Sequence, residues 1–270
     1  MKIKLKPRKK GSHKGQNGIV LVIGGSEDYI GAPVFVGLAA LAVLRTGADL
    51  VYVAAPEKTA WAINCLSPDL ITIKLKGKFL SLKNLKKCLE LAKKADCIVI
   101  GNGIGRNPQT KRFVLQFLKK NKKPVIIDAD ALRMVNLKNV SNAVLTPHAG
   151  ELKDLLKNSN LTLNTLQKNL KNNIIVIKGH PRTLIISKTK KAVNTTGHPG
   201  MTHGGSGDVL AGIIAGLIAQ GNEMFNACRI ATYINGKAGE SLAKRFGVGY
   251  LASDLVLEIP KLLKRFQKII

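Results

Sequence analysis

A glycine-rich segment that runs into an apolar stretch occupies residues 200–217, with the sequence GMTHGGSGDVLAGIIAGL. Glycines at positions 204, 205 and 207 permit positive φ angles and let bare backbone N–H groups approach an oxyanion. A helix predicted to begin near Asp208 would add the positive end of its dipole at the same place. The segment therefore predicts an anion-binding loop that opens a long apolar helix.

Asp208 is the one acid of this segment, which contains no Lys or Arg although the chain carries 43 of them. Backbone amides would supply the donors for the anion, and no flexible cation of the segment would pair with Asp208. We expect the helix start to hold this carboxylate ionised, so that it can accept a proton from a hydroxyl beside a bound phosphate. The alternative is that Asp208 only caps the helix, which is a common arrangement.

Short apolar runs rich in β-branched residues recur along the chain, each followed by a turn and a longer amphipathic or apolar stretch. They are residues 18–23, 49–54, 97–100, 124–128, 143–146 and 174–178. Because these runs are continuously apolar, both faces of the sheet should be covered. We predict an α/β fold with a mostly parallel central sheet flanked by helices, an edge hairpin over residues 183–194, and helices alone after Asp208. No linker divides the chain, so we treat residues 1–270 as a single domain.

The formal net charge of +27 raises the question of a nucleic-acid partner, because a basic surface attracts phosphate backbones. The distribution of the charge argues against one. Lysines crowd residues 74–87, where helical spacing predicts a solvated face, whereas residues 15–44 and 192–228 contain neither Lys nor Arg. Aromatic side chains on which bases could stack are few and dispersed. We interpret the charge as a solvation feature and expect no nucleic-acid partner.

No part of the sequence predicts secretion or membrane insertion. The basic N-terminus is not followed by the uninterrupted apolar region of a signal peptide. The longest charge-free apolar stretches, residues 32–44 and 209–219, fall short of the roughly 18 residues that would suggest a membrane span. The four cysteines form no C-x-x-C pair. Such scattered cysteines are typical of a protein in a reducing compartment, and they predict no structural zinc site. We expect a soluble, cytoplasmic protein, and its apolar helix faces favour a homo-oligomer.

Glycine-rich and polar loops follow several predicted strands, where ligands of such sheets bind. GNGIG at residues 101–105 does not meet the G-x-G-x-x-G spacing of a dinucleotide loop, so we interpret it as a tight turn lining the ligand cleft. His148 and Glu151 lie three residues apart at a strand-to-helix turn, where they would either face one site or simply begin the helix. Residues 177–185, IKGHPRTLI, would either wrap a nucleotide with backbone groups or form an ordinary hairpin.

Taken together, these motifs resemble a known family. GGSGDVLAG resembles the signature of the ribokinase-like superfamily, and the ordered set is similar to the ADP- or ATP-dependent NAD(P)H-hydrate dehydratases. The motifs of the set are GSEDYIGA (25–32), IGNGIG (100–105), DADAL (128–132), LTPHAGE (145–151), IKG (177–179) and GHPGMTHGGSGDVLAG (197–212). The resemblance spans roughly residues 10 to 260, and six motifs in order are far more specific than one.

This resemblance implies a ribokinase-like three-layer sandwich and an activity that repairs a damaged cofactor. ADP or ATP would phosphorylate the ring hydroxyl of (S)-NAD(P)H hydrate, after which phosphate would leave and NAD(P)H would return. Phosphorylation makes physical sense, because hydroxide is a poor leaving group and phosphate a good one. The partners implied are NAD(P)H hydrate, an adenine nucleotide and Mg²⁺.

The resemblance also assigns site residues position by position. Asp208 matches the base and a substrate contact, Glu151 would lie near the phosphates through Mg²⁺, and Ala32, Gly103 and His148 match contacts to the hydrated cofactor. The nucleotide-binding positions are Lys178, Gly179, His180, Pro181, Arg182, Gly204, Gly205, Ser206 and Gly207. Residues 180–182 depart from the small and polar residues usual in the family, so backbone contacts are expected there.

Relatives that phosphorylate vitamin precursors, such as hydroxyethylthiazole kinase, are the alternative within the superfamily. They share the Gly-Asp signature but usually carry Asn where His148 stands, so His148 favours the dehydratase. An oxidoreductase using residues 101–105 on a dinucleotide would not need Asp208. Many bacterial relatives also carry an N-terminal epimerase domain, which we expect to be absent because only about sixteen residues precede the first predicted strand.

Overall fold

The computed structural model describes residues 5–29, 31–179 and 181–270, without the side chains of Ala32 and Pro33. Within these residues a nine-stranded sheet forms the centre of the molecule. Its strands are β1 (Ile19–Ile23), β2 (Leu50–Pro56), β3 (Ile71–Leu75), β4 (Cys97–Ile100), β5 (Val125–Ile127), β6 (Ala143–Leu145), β7 (Ile174–Ile177), β8 (Thr183–Ile186) and β9 (Lys191–Asn194). The α-helices are α1 (Ala32–Arg45), α2 (Glu57–Leu66), α3 (Leu85–Lys94), α4 (Pro108–Lys120), α5 (Ala149–Ser159), α6 (Leu163–Asn169), α7 (Ser206–Ala219), α8 (Met224–Phe246) and α9 (Ala252–Leu263).

The strand order is β3-β2-β1-β4-β5-β6-β7-β8-β9. All neighbours from β3 to β7 pair in parallel, and β8 and β9 add an antiparallel hairpin at one edge. Since β1 pairs with both β2 and β4, the chain reverses its direction across the sheet after β3. Clefts that bind ligands open at such reversal points, outside the carboxyl ends of the strands. The predicted mostly parallel sheet and its edge hairpin are confirmed.

Helices cover both faces of the sheet, which makes three layers. Alternate residues of β1 enter different cores: Val20 and Val22 pack on the side of α1, α7, α8 and α9, and Leu21 and Ile23 on the side of α3, α4 and α5. All four side chains are fully buried. Burial on both faces explains why the strands are apolar without a period of two.

Helix α7 is the most deeply placed helix next to the sheet, because every residue from Val209 to Ala219 is buried. Two of its glycines allow it to touch α1. A Cβ atom at Gly212 would lie 2.2 Å from the carbonyl oxygen of Ala39, and one at Gly216 would lie 2.3 Å from Oγ1 of Thr46. This close packing fixes the start of α7 relative to the sheet. In the described part of the chain, no helix has the length and apolarity needed to span a bilayer.

One region differs from the sequence-based expectation. The edge strand β3 is absent from the strands predicted above, because its residues alternate between exposed and buried, as Ile71 and Thr72 do. The solvated helical face predicted over residues 74–87 is also wrong in its first half. Those residues finish β3 and turn at Gly77, whose φ is +104°, and α3 begins at Leu85. Propensity is a weak guide at a sheet edge, where half of each strand is solvated.

Candidate active site

Five polar side chains meet outside the carboxyl ends of the central strands. Asn102 follows β4, Asp128 follows β5, Glu151 stands in the first turn of α5, Lys178 follows β7, and Asp208 stands in the first turn of α7. Hydrogen bonds or ion pairs connect them, and we call them the polar cluster. They come from positions up to 106 residues apart in the chain, so the sheet is what brings them together.

The loop before Asp208 has the geometry that its glycines allow. Gly205 precedes the helix with a φ of +95°, and a Cβ atom there would lie 2.8 Å from the Cβ of Ala252. A Cβ at Gly204 would lie 3.0 Å from the ring of Phe35. The hydroxyl of Ser206 donates to the carbonyl of Met201 at 2.8 Å and closes the loop. The loop therefore has no room for larger side chains at positions 204 and 205, and glycine there keeps bare backbone at the start of α7, as an anion-binding loop requires.

Asp208 titrates near neutrality. Burial is the main cause, and the negative charge of Asp128 adds to it, so that the pKa of Asp208 rises to about 7. The amide of Asn102, which donates to Oδ1 at 2.6 Å, and the ammonium of Lys178 oppose this rise. The pKa of Asp208 is therefore raised rather than lowered, and the helix start does not by itself keep this carboxylate fully ionised at neutral pH. Desolvation and a second carboxylate outweigh the dipole of the helix.

Lys178 provides the cation of the cluster. Its Nζ lies 2.8 Å from Oδ1 of Asp128 and 3.8 Å from Oε2 of Glu151. Burial would lower the pKa of Lys178, but the two carboxylates outweigh it and raise the pKa. Asp128 is also an acceptor for the hydroxyl of Thr146 at 2.7 Å. Residues 200–217, which surround Asp208 in the sequence, contain no Lys or Arg. Lys178, at the end of β7, nevertheless places a cation beside Asp208 in the folded protein.

His148 and Glu151 form a reciprocal cap at the start of α5. The Nδ1 atom of His148 accepts from the N–H of Gly150 at 3.0 Å and of Glu151 at 3.4 Å, while Oε2 of Glu151 accepts from the N–H of His148 at 2.9 Å. Because Nδ1 is an acceptor, the ring proton lies on Nε2, which faces Oε1 of Glu151 at 3.3 Å. Burial raises the pKa of Glu151, and Lys178 opposes that rise. His148 and Glu151 therefore cap helix α5 and are also part of the candidate site.

Two cavities flank Asp208. The first, of about 510 Å³, extends from Lys178 and Gly179 towards α8, and we call it the β7 cavity. The second, of about 500 Å³, extends from Gly103 towards Tyr29, and we call it the β4 cavity. Both are lined by Ala129, His148, Glu151, Gly204, Gly205 and Asp208. Asp208 and the glycine loop therefore lie where the two cavities meet.

Most of the residues that the sequence assigns to a site line one of these cavities. Gly103 lines the β4 cavity, and Lys178, Gly179, Ser206 and Gly207 line the β7 cavity. Pro181 and Arg182 are exposed and are not among the described residues that line either cavity. His180 and the side chain of Ala32 lie outside the described residues.

Two polar residues at the site, Asn102 and Asn235, are not predicted from the sequence. Asn102 lies inside GNGIG, where the glycines attract attention first, and Asn235 lies on α8 far along the chain. Each is buried, and in the part of the chain that the structure describes the Oδ1 atom of each has no hydrogen-bond partner. Position 101 requires glycine for a structural reason, because a Cβ atom there would lie 1.9 Å from the carbonyl oxygen of Asp128. The glycine turn thus brings β4 and β5 together.

Comparison with known proteins agrees with this architecture. Residues 20–261 match the family model described as NAD(P)H-hydrate dehydratase. The bifunctional NAD(P)H-hydrate repair enzyme Nnr of Methanothermobacter thermautotrophicus is 41% identical over 276 residues, which cover 97% of this chain and 52% of that enzyme. The ADP-dependent (S)-NAD(P)H-hydrate dehydratase of Nitrosopumilus maritimus is 36% identical over 275 residues, which cover 97% of this chain and 94% of that enzyme. The chain spans about half the length of the bifunctional relatives.

Solved structures share the fold. The ADP/ATP-dependent NAD(P)H-hydrate dehydratase of Bacillus subtilis, co-crystallised with ATP and Mg²⁺, superposes with a TM-score of 0.79 at 27% identity, covering 97% of this chain and 95% of that one. A ribokinase-like superfamily protein of Enterococcus faecalis gives 0.83 at 28% identity, covering 98% and 93%. The predicted ribokinase-like fold is confirmed. The chain belongs to the NAD(P)H-hydrate dehydratase family.

Proposed function

We propose that this protein catalyses the dehydration of (S)-NAD(P)H hydrate to NAD(P)H at the expense of ADP or ATP. The observation that carries the proposal is the position of Asp208, at the junction of two cavities and at the mouth of an anion-binding loop. A phosphoryl donor in one cavity and an alcohol in the other would meet at this carboxylate. Family membership supplies the identity of both substrates.

We place the nucleotide in the β7 cavity. The glycine loop from Gly204 to Gly207 and the turn at Gly179 offer backbone N–H groups to its phosphates. Among the described residues, Pro181 and Arg182 line neither cavity, so the contacts proposed from this segment come from Lys178 and Gly179. The Nitrosopumilus maritimus relative is named as ADP-dependent, and the Bacillus subtilis enzyme was crystallised with ATP and Mg²⁺, which supports an adenine nucleotide as the co-substrate here.

We place the hydrated nicotinamide in the β4 cavity. Gly103 and His148 line it, and helix α1, which begins at Ala32, stands beside it through Phe35. The ring hydroxyl would point towards the carboxylate of Asp208. His148 lies at the border of the two cavities, where its Nε2–H, which faces Oε1 of Glu151, would be shared between that carboxylate and the substrate.

Two steps would complete the reaction. In the first, Asp208 accepts the hydroxyl proton while that oxygen bonds to the terminal phosphorus, and the bond from this phosphorus to the bridging oxygen breaks to release AMP or ADP. In the second, the C–O bond of the phosphorylated ring breaks, inorganic phosphate leaves with the electron pair, and a ring proton is lost to restore the dihydronicotinamide. A pKa of about 7 suits a base that works near neutral pH.

Mg²⁺ would enter with the nucleotide. No group of three or more His, Cys, Asp or Glu side chains within the described ranges is arranged to hold a metal ion. Besides Asp208, which is assigned as the base, Glu151 is the other described carboxylate that lines both cavities, which fits the way in which proteins hold Mg²⁺ through one or two carboxylates, waters and substrate phosphates. When bound, the ion would neutralise charge on the transferring phosphoryl group.

The domain organisation, location and oligomeric state of the enzyme are also part of the proposal. Both cores run without interruption across β1, β2 and β4 to β7, which supports a single domain. We propose a cytoplasmic location, because charged dinucleotides and the enzyme must share a compartment. Exposed apolar side chains on α1 and α2, namely Val34, Trp61 and Leu66, favour a homo-oligomer. Sedimentation analysis that shows a monomer at micromolar concentration would remove this last point.

The decisive assay follows recovery of the dihydronicotinamide absorbance when purified protein is mixed with NADH hydrate or NADPH hydrate and with ADP or ATP. We expect recovery and free phosphate in equal amounts, and neither without nucleotide. A stable phosphorylated product without recovery of the absorbance would instead indicate a small-molecule kinase of the hydroxyethylthiazole kinase type. No turnover with any combination would refute the proposal.

A further inference from the structure

Asn102 holds an unusual place in the polar cluster. Its side chain is completely buried, and its Nδ2 atom lies 2.6 Å from Oδ1 of Asp208 and 3.4 Å from Oδ2 of Asp128. The amide nitrogen of Asn102 therefore lies between the carboxylates of Asp128 and Asp208, which repel each other. The reverse orientation would place the amide oxygen against both carboxylates, so the electrostatics fix which atom faces them.

The backbone of Asn102 is held as firmly as its side chain. Its carbonyl oxygen accepts a hydrogen bond from the N–H of Gly25 at 2.8 Å, which ties the end of β4 to the loop after β1. Gly101, with a φ of +130°, lets the turn lie directly on the carbonyl of Asp128. With its backbone anchored and its side chain fully buried, Asn102 has little freedom to move when Asp208 moves. The amide of Asn102 therefore sets the position of the Asp208 carboxylate.

We propose that Asn102 is a positioning residue, which orients the carboxylate of Asp208 for proton abstraction and keeps it in the ionised form beside Asp128. The inference rests on the proposed function, in which Asp208 is the base. Asn102 is not among the described residues that line either cavity, so the two substrates would not touch it. In the described residues its Oδ1 atom has no hydrogen-bond partner, so the side-chain hydrogen bonds of this buried amide there are those of Nδ2 to the two carboxylates.

The charges around Asp208 give the direction of the effect. Asp128 at the end of β5 disfavours the ionised form, and Lys178 at the end of β7 favours it. Glu151 and His148, from the start of α5, share the lining of both cavities with Asp208. Without the amide of Asn102, burial and Asp128 would be opposed mainly by Lys178. The pKa of Asp208 would then rise further above about 7.

The test compares Asn102→Ala and Asn102→Asp with the wild-type protein. The direct readout is the carboxyl ¹³C resonance of Asp208 during a pH titration of the protein without substrate, assigned with Asp208→Asn. We expect the titration midpoint to rise by about 1 pH unit in Asn102→Ala and by more in Asn102→Asp, which adds a third acid at nearly constant shape. Unchanged midpoints in both variants would overturn the inference.

Activity provides the second readout. If wild-type protein turns over NADH hydrate, Asn102→Ala should lose about tenfold more activity below pH 7 than on the alkaline plateau. Asn173→Ala is the matched control, because Asn173 is also buried and its side chain bonds to the backbone of Ala143 and Val140, outside the polar cluster. It should lose stability without moving the pH profile. An equal loss at every pH in the Asn102 variants would indicate a merely structural role.

The two proposals fail in different ways. If wild-type protein shows no dehydratase activity while the ¹³C midpoint moves as expected, the proposed function fails and the electrostatic role of Asn102 stands. If wild-type protein is active and the midpoint stays fixed, only the inference about Asn102 fails. Should Asn102→Ala not fold, Asn102→Leu, which fills a similar volume and removes the amide donor without adding a charge, carries the same test.

Discussion

Replacing Asp128 with asparagine tests the electrostatic description of the candidate base. The change keeps the shape of the side chain and an oxygen for Thr146 and Lys178, but it removes the charge that faces Asp208. The two carboxylates share Nδ2 of Asn102, at 3.4 and 2.6 Å, so their nearest oxygens are at most about 6 Å apart. At an effective dielectric constant of about 20, two charges at that separation repel by ~3 kcal/mol, which corresponds to ~2 pKa units.

Lys178 offsets part of this repulsion, so we expect Asp128→Asn to lower the pKa of Asp208 by about 1 to 2 units from its value of about 7. Asp208 must be ionised to accept a proton, and the rate therefore falls as the pH drops through its pKa. At pH 6 the wild-type rate should be about a tenth of its plateau, whereas the variant should keep about half of its own plateau or more.

The measurement is kcat/KM for NADH hydrate at saturating nucleotide, from about pH 5.5 to about pH 9, because this ratio reports the ionisation of the free enzyme. Circular dichroism at each pH should show that both proteins stay folded. An acid limb that remains near pH 7 in Asp128→Asn, or that moves to higher pH, would refute the claim that Asp128 raises the pKa of Asp208.

Three further substitutions test the glycine loop, the cation and the packing below them. Gly207→Val should weaken ADP binding at least about tenfold in calorimetry, because a Cβ atom there already lies 3.0 Å from Nζ of Lys178. Lys178→Met should lower the free energy of unfolding in urea by about 3–5 kcal/mol, since it leaves buried carboxylates unpaired. Gly212→Ala should lower the melting temperature by about 5–10 °C, because its Cβ would lie 2.2 Å from the carbonyl oxygen of Ala39. Gly11→Val is the control for the first change, since a Cβ atom there meets nothing within 4 Å.

Each of these expectations can fail clearly. Equal ADP affinity in Gly207→Val and Gly11→Val would mean that the loop does not hold the phosphates. A loss below about 1 kcal/mol in Lys178→Met would mean that water already solvates the carboxylates. An unchanged melting temperature in Gly212→Ala would show that α1 and α7 can separate without cost.

Much of the fold follows from the sequence because the central strands are buried on both faces. Continuous apolar runs such as residues 18–23 and 97–100 are too short for a buried helix and suit a strand inside a sheet, and the glycines before Asp208 mark the start of α7. The edge strand β3 escapes this reasoning, since its outer face is wet and its pattern is short. Local pattern therefore predicts the interior of the sheet better than its border.

The electrostatics of the site do not follow from local sequence. A helix start alone predicts an ionised Asp208, but its pKa depends on Asp128, Asn102 and Lys178, which lie 80, 106 and 30 residues away along the chain. Which strand ends are neighbours decides these contacts, and only the folded sheet fixes that. Likewise, His148 and Glu151 can be identified as a pair from their spacing, while their place at the border of two cavities requires the structure.

The most direct test of the central claim compares Asp208→Asn with Asp254→Asn, which changes an acid in the first turn of α9 that serves as a cap. Turnover of NADH hydrate and nucleotide affinity would be measured for both. We predict that Asp208→Asn folds, still binds ADP or ATP, and loses at least about a thousandfold in kcat, whereas Asp254→Asn stays near the wild-type rate. Turnover within about tenfold of wild type in folded Asp208→Asn would show that another group takes the proton.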